Sequence, residues 1–290
     1  MLKIRWFKGQ WIHITFGRVL LYLIMIALVC FTVLPLLYVV TTAFKPLDEL
    51  FVFPPRFFVK NPTTKNFSDL VVTLGSSTVP FTRYAFNSIL ITVISVIATV
   101  IVSSLAAYAL VKFKPVGGKF IFDLILVALM FSPHVTQIPS YMVVNGMGLV
   151  NTYWALILPN VAVAYNCFLM RQFIQQYPDE LIEAARMDGA KEFTIFVKMV
   201  MPALAPAWST LVVFSFVKSW NDYFSPLIYI TSQAMKTLPL ALQTIAGGLS
   251  IGRQGAVAAS TFLMTAPTVI IFTIMQGKVM ETMTYSGIKG

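Results

Sequence analysis

Hydrophobic positions along this chain fall into long continuous runs rather than alternating or amphipathic patterns. A helix needs about 20 mainly apolar residues to cross the hydrocarbon layer of a bilayer. The runs predict six spans, at residues 19–41, 87–111, 120–144, 153–170, 203–217 and 256–275. The third holds Asp123, Pro133 and Pro139, which predicts a kinked or broken helix. The fifth contains Pro206 and extends toward Trp220. Neighbouring helices can satisfy the backbone groups that such prolines free. The first run exceeds the apolar core of a signal peptide, about 7–15 residues, and no small-residue cleavage site follows it. It is expected to persist as a span. The pattern as a whole predicts an all-α membrane protein with six transmembrane helices.

Two connections between runs are long. Phe44 to Phe86 contains Pro54, Pro55, Pro62 and Pro80 among several aromatics. Trp220 to Gln254 contains Pro226, Pro239 and the pair Gly247-Gly248. Ordered loops of this size usually serve an interaction.

Composition agrees with the pattern and then adds an orientation. The chain is 58% hydrophobic and 11% charged, against about a quarter charged in soluble domains. Its formal net charge is +10, which on a soluble chain would point to nucleic acid. Here the basic residues sort by side. Lys3, Arg5, Lys8, Arg18, Lys112, Lys114, Lys119, Arg171, Arg186, Lys191, Lys198, Lys278 and Lys289 share one side if six spans alternate. The opposite connections carry Lys45, Arg56, Lys60, Lys65, Arg83, Lys236 and Arg253, spread over many more residues. The denser side is cytoplasmic by the positive-inside rule. Both termini are then cytoplasmic, and no nucleic-acid partner is required. The domains predicted are a cytoplasmic segment at 1–18, a transmembrane domain at 19–277 and a cytoplasmic tail at 278–290.

The most polar stretch, residues 178–202, follows the fourth run. Pro178 suits a first helical position. Asp179 and Glu180 then occupy the first turn, where the helix dipole favours anions. Leu181, Ala184 and Ala185 follow at helical spacing. Asp188-Gly189 is a turn signal, and glycine takes a positive φ without steric cost. A second helix is predicted at 190–198, with Phe193, Phe196 and Val197 as its apolar face. The product is a helix–turn–helix elbow under the membrane, joined directly to a span. Such an elbow can transmit a push or serve as a plain surface connector.

Glu183-Ala184-Ala185, three residues, Gly189, nine residues and then an M-x-M-P ending resemble the EAA coupling loop of ABC importer permeases. The family ending is I-x-L-P; Met199 and Met201 are flexible apolar substitutes of similar size. Further segments resemble the carbohydrate (MalG-like) branch of that family. They are Thr42-Ala43-Phe44-Lys45, Asn87-Ser88, Ala106-Ala107-Tyr108-Ala109, Gly148-Leu149-Val150-Asn151-Thr152, Arg171 with Phe173, Ser219-Trp220-Asn221-Asp222-Tyr223 and Gly287-Ile288-Lys289-Gly290.

The resemblance implies a type I ABC importer fold and places Glu183, Ala184, Ala185, Asp188 and Gly189 at the ATPase-docking positions. It also implies the partners: a second homologous permease, two ATP-binding subunits and an extracytoplasmic solute-binding protein, at a bacterial or archaeal plasma membrane. A tail reaching along the ATPase pair is implied as well. The chain carries no G-x-x-x-x-G-K-[ST] phosphate loop, so Mg-ATP is expected in the partner subunits and no cofactor or catalytic residue in this one.

Sugar sites combine aromatic faces with hydrogen-bonding groups. Asn160, Tyr165, Asn166, Trp208 and Ser209 are candidates for a midplane cavity, and helix–helix contacts are the alternative for each. Another solute, such as a glycerol phosphate, fits the same reading. An ion-coupled transporter would need ionisable relays, for which only Asp123, Asp222 and Lys218 come near. A membrane enzyme would need paired carboxylates or spaced histidines, and His13 and His134 stand apart. Cys30 and Cys167 read as small buried hydrophobes.

Overall fold

The computed structural model describes residues 3–5, 11–13, 16–75, 79–246 and 254–287, with side chains at 16–74, 79–244 and 254–280. Gly247-Gly248, Arg253 and residues 288–290 lie outside the described residues, as does the side chain of His13. The fold is helical apart from one short antiparallel pair, β1 (Lys3–Arg5) with β2 (Trp11–His13), which the all-α expectation did not include. Two units form, Met1–Leu70 with Ser250–Phe262, and Val71–Leu249 with Leu263–Gly290.

The first unit contains α1 (Phe16–Ala43), α2 (Leu47–Leu50) and the start of both α3 (Lys65–Gly75) and α15 (Gln254–Gly287). α1 has a mean hydropathy of 2.8, and none of its most apolar stretch is buried by the chain itself. A helix apolar on every side needs lipid or a partner around it. Cys30 lies on this exposed surface, contrary to the expectation of burial. The connection after α1 is knitted by its own polar groups. Asn66 donates both amide protons, to the carbonyls of Ala43 (2.9 Å) and Lys45 (2.7 Å). The buried Lys45 ammonium donates to the Arg56 carbonyl. Glu49 accepts the backbone N–H groups of Lys60 and Asn61, both at 3.0 Å. These bonds, Lys60 first, hold its carboxyl below the usual range. Phe44, Phe67 and Phe262 pack ring against ring. Thr42-Ala43-Phe44-Lys45 is thus the anchor of an ordered loop.

The second unit is built around α4 (Phe81–Tyr108), which continues as a π-helical turn over Ala109–Phe113. α5 (Gly118–Leu129), α6 (Pro133–Gly146), α7 (Trp154–Val161) and α8 (Ala164–Ile174) follow. Next come α9 (Asp179–Met187), α10 (Glu192–Ile195), a π turn over Phe196–Val200, α11 (Met201–Ala203) and α12 (Ala205–Trp220). α13 (Phe224–Tyr229), a 3-10 turn at Gln233–Met235 and α14 (Leu238–Ala246) complete the unit with the rest of α15. α7, α8 and α12 pack on α4. The buried positions of α4 include Thr92, Ser95, Thr99, Ser103, Ser104 and Ala107. Small residues let helices approach closely where lipid supplies no hydrophobic drive.

Among the described residues three continuous helices are long and apolar enough to cross a membrane: α1, α4 with its π turn, and α15. The other expected spans are bent pairs. α5 and α6 turn through 119° just before Pro133, the residue preceding a proline being steered away from helical geometry. α7 and α8 bend by 40°, shortly after Pro159. The segment Glu192–Ala203 meets α12 at 79°, at Leu204 between Pro202 and Pro206. α15 stays helical to Gly287, past the expected end of the last span.

Several segments quoted above act as clamps. Asn87 is fully buried and donates to the carbonyls of Ala234 and Lys236, both at 2.9 Å, while accepting the Tyr153 hydroxyl at 2.9 Å. Ser88 accepts the Leu238 N–H at 2.7 Å. Asn151, at φ 63°, accepts the N–H groups of Thr231 and Ser232. Asp222 accepts those of Phe224 and Ser225, capping α13. The connection from Trp220 to α14 is therefore pinned to the start of α4 and to the turn after α6.

Candidate functional site

The elbow forms as the sequence predicts, with two adjustments. Pro178 caps α9 from outside, so the helix starts at Asp179, one residue after the expected start. Gly189 sits at φ 81°. Its N–H donates to Arg186 O (2.9 Å) and that of Ala190 to Ala185 O (3.0 Å). This is the paired closure in which a left-handed glycine ends a helix. The second helix is shorter than expected, because α10 passes into the π turn at Phe196.

The faces differ from the expectation. Ile182 (2% exposed) and Ile195 (0%) turn inward with Phe196 and Val200, and join Met170, Ile174 and Leu211 in one apolar cluster. Ala185 packs against that cluster, so it meets its own bundle. Phe193 and Val197 are exposed rather than part of a covered apolar face. Positions three and four apart share a helix face. Glu180, Glu183, Ala184 and Met187 accordingly form an exposed face of α9, with Asp188 and Gly189 exposed at its end. Of the five positions expected to dock an ATPase, four are open and Ala185 is half-buried.

Polar contacts tie the elbow to the end of α4. The buried side chain of Lys112 donates to Tyr177 O (2.7 Å) and pairs with Asp179 Oδ1 (2.5 Å). The Tyr108 hydroxyl donates to Glu192 Oε2 (3.0 Å), and Arg186 Nε pairs with Glu192 Oε1 (2.5 Å). Tyr108 also packs on Phe196 at 5.2 Å between ring centroids. These contacts join the elbow directly to the C-terminal end of α4. Sequence reasoning read Lys112 only as a topology charge. Its basic type beside Tyr108 was visible, but its partner lies 67 residues away.

The Lys112 hydrogen bond and charge hold the Asp179 carboxyl below its ordinary value. A carboxylate depressed by folding adds stability that is complete above its unfolded pKa and lost as pH falls through the folded one. The melting-temperature gap between the wild type and Asp179→Asn should persist at neutral pH. It should close only below about pH 4. A gap constant through that range would show that charge does not hold the clamp.

A second feature lies between α4, α7, α8 and α12. A cavity of about 160 Å³ opens at the α7–α8 bend. The expected Asn160, Tyr165 and Asn166 line it, and so do Ser95, Thr99, Ser215 and Lys218, which the expectation omitted. Trp208 and Ser209 do not: Trp208 donates to Met201 O and lies under the Lys278 ammonium, beside the elbow. Asp123 and His134 are elsewhere as well. Among the described residues no His, Cys, Asp and Glu group could hold a metal ion.

Residues 99–281 match the family of binding-protein-dependent transport system inner membrane components. The arabinooligosaccharides transport system permease protein AraQ of Halalkalibacterium halodurans is 30% identical over 264 residues, covering 89% of this chain and 91% of the relative. The polygalacturonan/rhamnogalacturonan transport system permease protein YtcP of Bacillus subtilis is 33% identical, covering 81% of this chain and 78% of its own. In fold, the chain resembles a subunit of a bacterial ABC transporter involved in the import of the acidic polysaccharide alginate. That likeness has a TM-score of 0.78 at 22% identity, over 90% of this chain and 95% of that one. A second structure, of the bacterial alginate transporter in complex with an alginate pentasaccharide-bound periplasmic protein, gives 0.56 at 14% identity over 88% and 92%. The match spans the elbow, the contacts that clamp it to the end of α4 and the bent helices around the cavity, and the chain belongs to the binding-protein-dependent transport system inner membrane components.

Proposed function

We propose that this chain is a permease subunit of an ABC importer for oligosaccharides, and that the exposed face of α9 receives an ATP-binding subunit. Family membership and the substrates for which the relatives are named support the first part. The exposed surface of Glu183, Ala184, Asp188 and Gly189 supports the second, because its opposite side is bolted to α4 through Lys112 and Tyr108. In this reading the three long helices and three bent pairs make six crossings, with both termini cytoplasmic. Two ATPase subunits carry Mg-ATP, a second permease completes the pathway, and an external binding protein delivers the sugar. Closure of the ATPase pair moves the elbows together, and the clamp carries that motion into α4. A conformational change needs a ligand with different affinity for the two states, and the nucleotide-bound ATPase pair fills that role.

The test is purification from the native host followed by reconstitution. An ATPase should co-purify, and its hydrolysis should rise when oligosaccharide-loaded binding protein is added. Purification without any ATPase would overturn the reading.

A further inference from the structure

The cavity at the α7–α8 bend carries more hydrogen-bonding capacity than the chain uses. Ser95 is 1% exposed and Ser215 9%, and neither hydroxyl has a partner. Asn166 is 5% exposed, and its side-chain amide makes no hydrogen bond among the described residues. Buried polar groups are nearly always paired, so two unpaired hydroxyls and an amide free of intrachain bonds around one cavity mark a place where something else completes them. The same wall carries flat apolar surface. The rings of Tyr165 and Phe214 lie 6.0 Å apart and tilted by 53°. Hydroxyls, an amide and aromatic faces together suit a polyhydroxylated ring.

The charge on the wall is one-sided. Lys218 lines the cavity, and no Asp or Glu does. Among the described residues Lys218 forms no ion pair or hydrogen bond. The carboxylate one turn further along, Asp222, attracts Lys218 at a distance without pairing with it, and caps α13 through two backbone N–H groups. The cavity also meets the first turn of the 11-residue α8, at Tyr165 and Asn166, where the helix dipole is positive. A lysine at membrane depth faces water or protein, because its charge is too unfavourable in lipid. Broken helices at that depth occur where they line such a space.

We propose that this cavity is a saccharide subsite and that Lys218 makes it select anionic, uronate-type saccharides over neutral ones. The inference rests on the importer reading above and goes beyond it in naming the charge of the cargo. The alternative occupant of Lys218 is a carboxylate of the second permease subunit, and the experiment separates the two.

The assembled importer, with both permeases and the ATPase subunits, is titrated calorimetrically with trigalacturonate and with the neutral galactotriose. Wild type, Lys218→Met and Lys218→Arg are compared. A charge-assisted contact is expected to make trigalacturonate bind about tenfold tighter than galactotriose in the wild type. The ratio should fall toward one in Lys218→Met, survive in Lys218→Arg and narrow as salt is raised. Equal or tighter binding of galactotriose by the wild type overturns the proposal, as does binding of neither saccharide. An unchanged ratio in Lys218→Met overturns it too. Loss of the second permease from the Lys218→Met complex would assign the lysine to the subunit interface instead. A preparation that hydrolyses ATP in response to loaded binding protein but shows no preference removes only this inference. A preparation without an ATPase removes both.

Discussion

Replacing Glu183 with lysine is expected to abolish transport and ATPase co-purification while leaving the melting temperature of the isolated chain unchanged. Glu183 is exposed and makes no hydrogen bond or ion pair among the described residues. Its charge acts within the described residues only as a Coulombic neighbour of the exposed Arg186, so a functional loss with the fold intact points to a partner. Gly189→Pro reaches the same end by another route. Proline holds φ near −65°, whereas Gly189 sits at 81° and donates its N–H to Arg186 O. The turn must rearrange, and α10 is re-aimed. A Cβ at Gly189 would meet no atom within 4 Å, so Gly189→Ala isolates the backbone strain, about 1–2 kcal/mol for an L-residue in the left-handed region. Partial loss of uptake is expected there, and complete loss for proline. Co-purification of the ATPase with each variant, scored beside uptake, is the measurement. Normal uptake by Glu183→Lys would remove α9 from the docking surface.

Asn87→Ala is expected to be the most damaging single change to the fold. Asn87 is fully buried and serves three partners, the carbonyls of Ala234 and Lys236 and the Tyr153 hydroxyl. Alanine leaves all three without it. The Ala234 carbonyl keeps Arg83 Nε–H as a donor, so two groups are left unsatisfied at about 1–3 kcal/mol each, and a loss of at least ~2 kcal/mol is expected. The 233–238 segment should detach from α4 first, because Ser88, through the Leu238 N–H, and Arg83, through the Ala234 carbonyl at 3.3 Å, are then its remaining hydrogen bonds to that helix. Thermal unfolding in detergent would register the loss. Limited proteolysis should open that segment before any other of the second unit. Unfolding at the wild-type temperature would show that the segment is held by apolar packing instead.

The elbow shows how far local pattern carries. Its turn was legible at Asp188-Gly189, because a positive φ selects glycine whatever surrounds it. Its inward face was not. The spacing of Phe193, Phe196 and Val197 is helical, yet only Phe196 is buried, while Ile182 and Ile195 go inward. Periodicity marks which residues are apolar. Which of them are covered depends on where α4, α8 and α12 stand. The bend at Pro133 was legible for the same local reason as the turn. The 40° bend of α7 and α8, at which the cavity opens, falls inside what the pattern of apolar residues marks as one span.

The sequence by itself determined the solvent of this protein, the positions of its apolar runs, its elbow and its family. Each depends on properties summed over neighbouring residues: the apolar length a bilayer demands, the charge flanking each run, the spacing of Glu183, Ala184, Ala185 and Gly189. Tertiary structure alone decided which polar groups meet. Lys112 finds Asp179 across 67 residues and Asn87 finds Lys236 across 149, pairings that no local pattern encodes. It also decided which groups stay unpaired, and so gathered Ser95, Asn166, Ser215 and Lys218 from three different helices on one wall. A hydrogen bond or an ion pair is set by a distance of a few ångströms, and only the packing of helices far apart in sequence sets that distance.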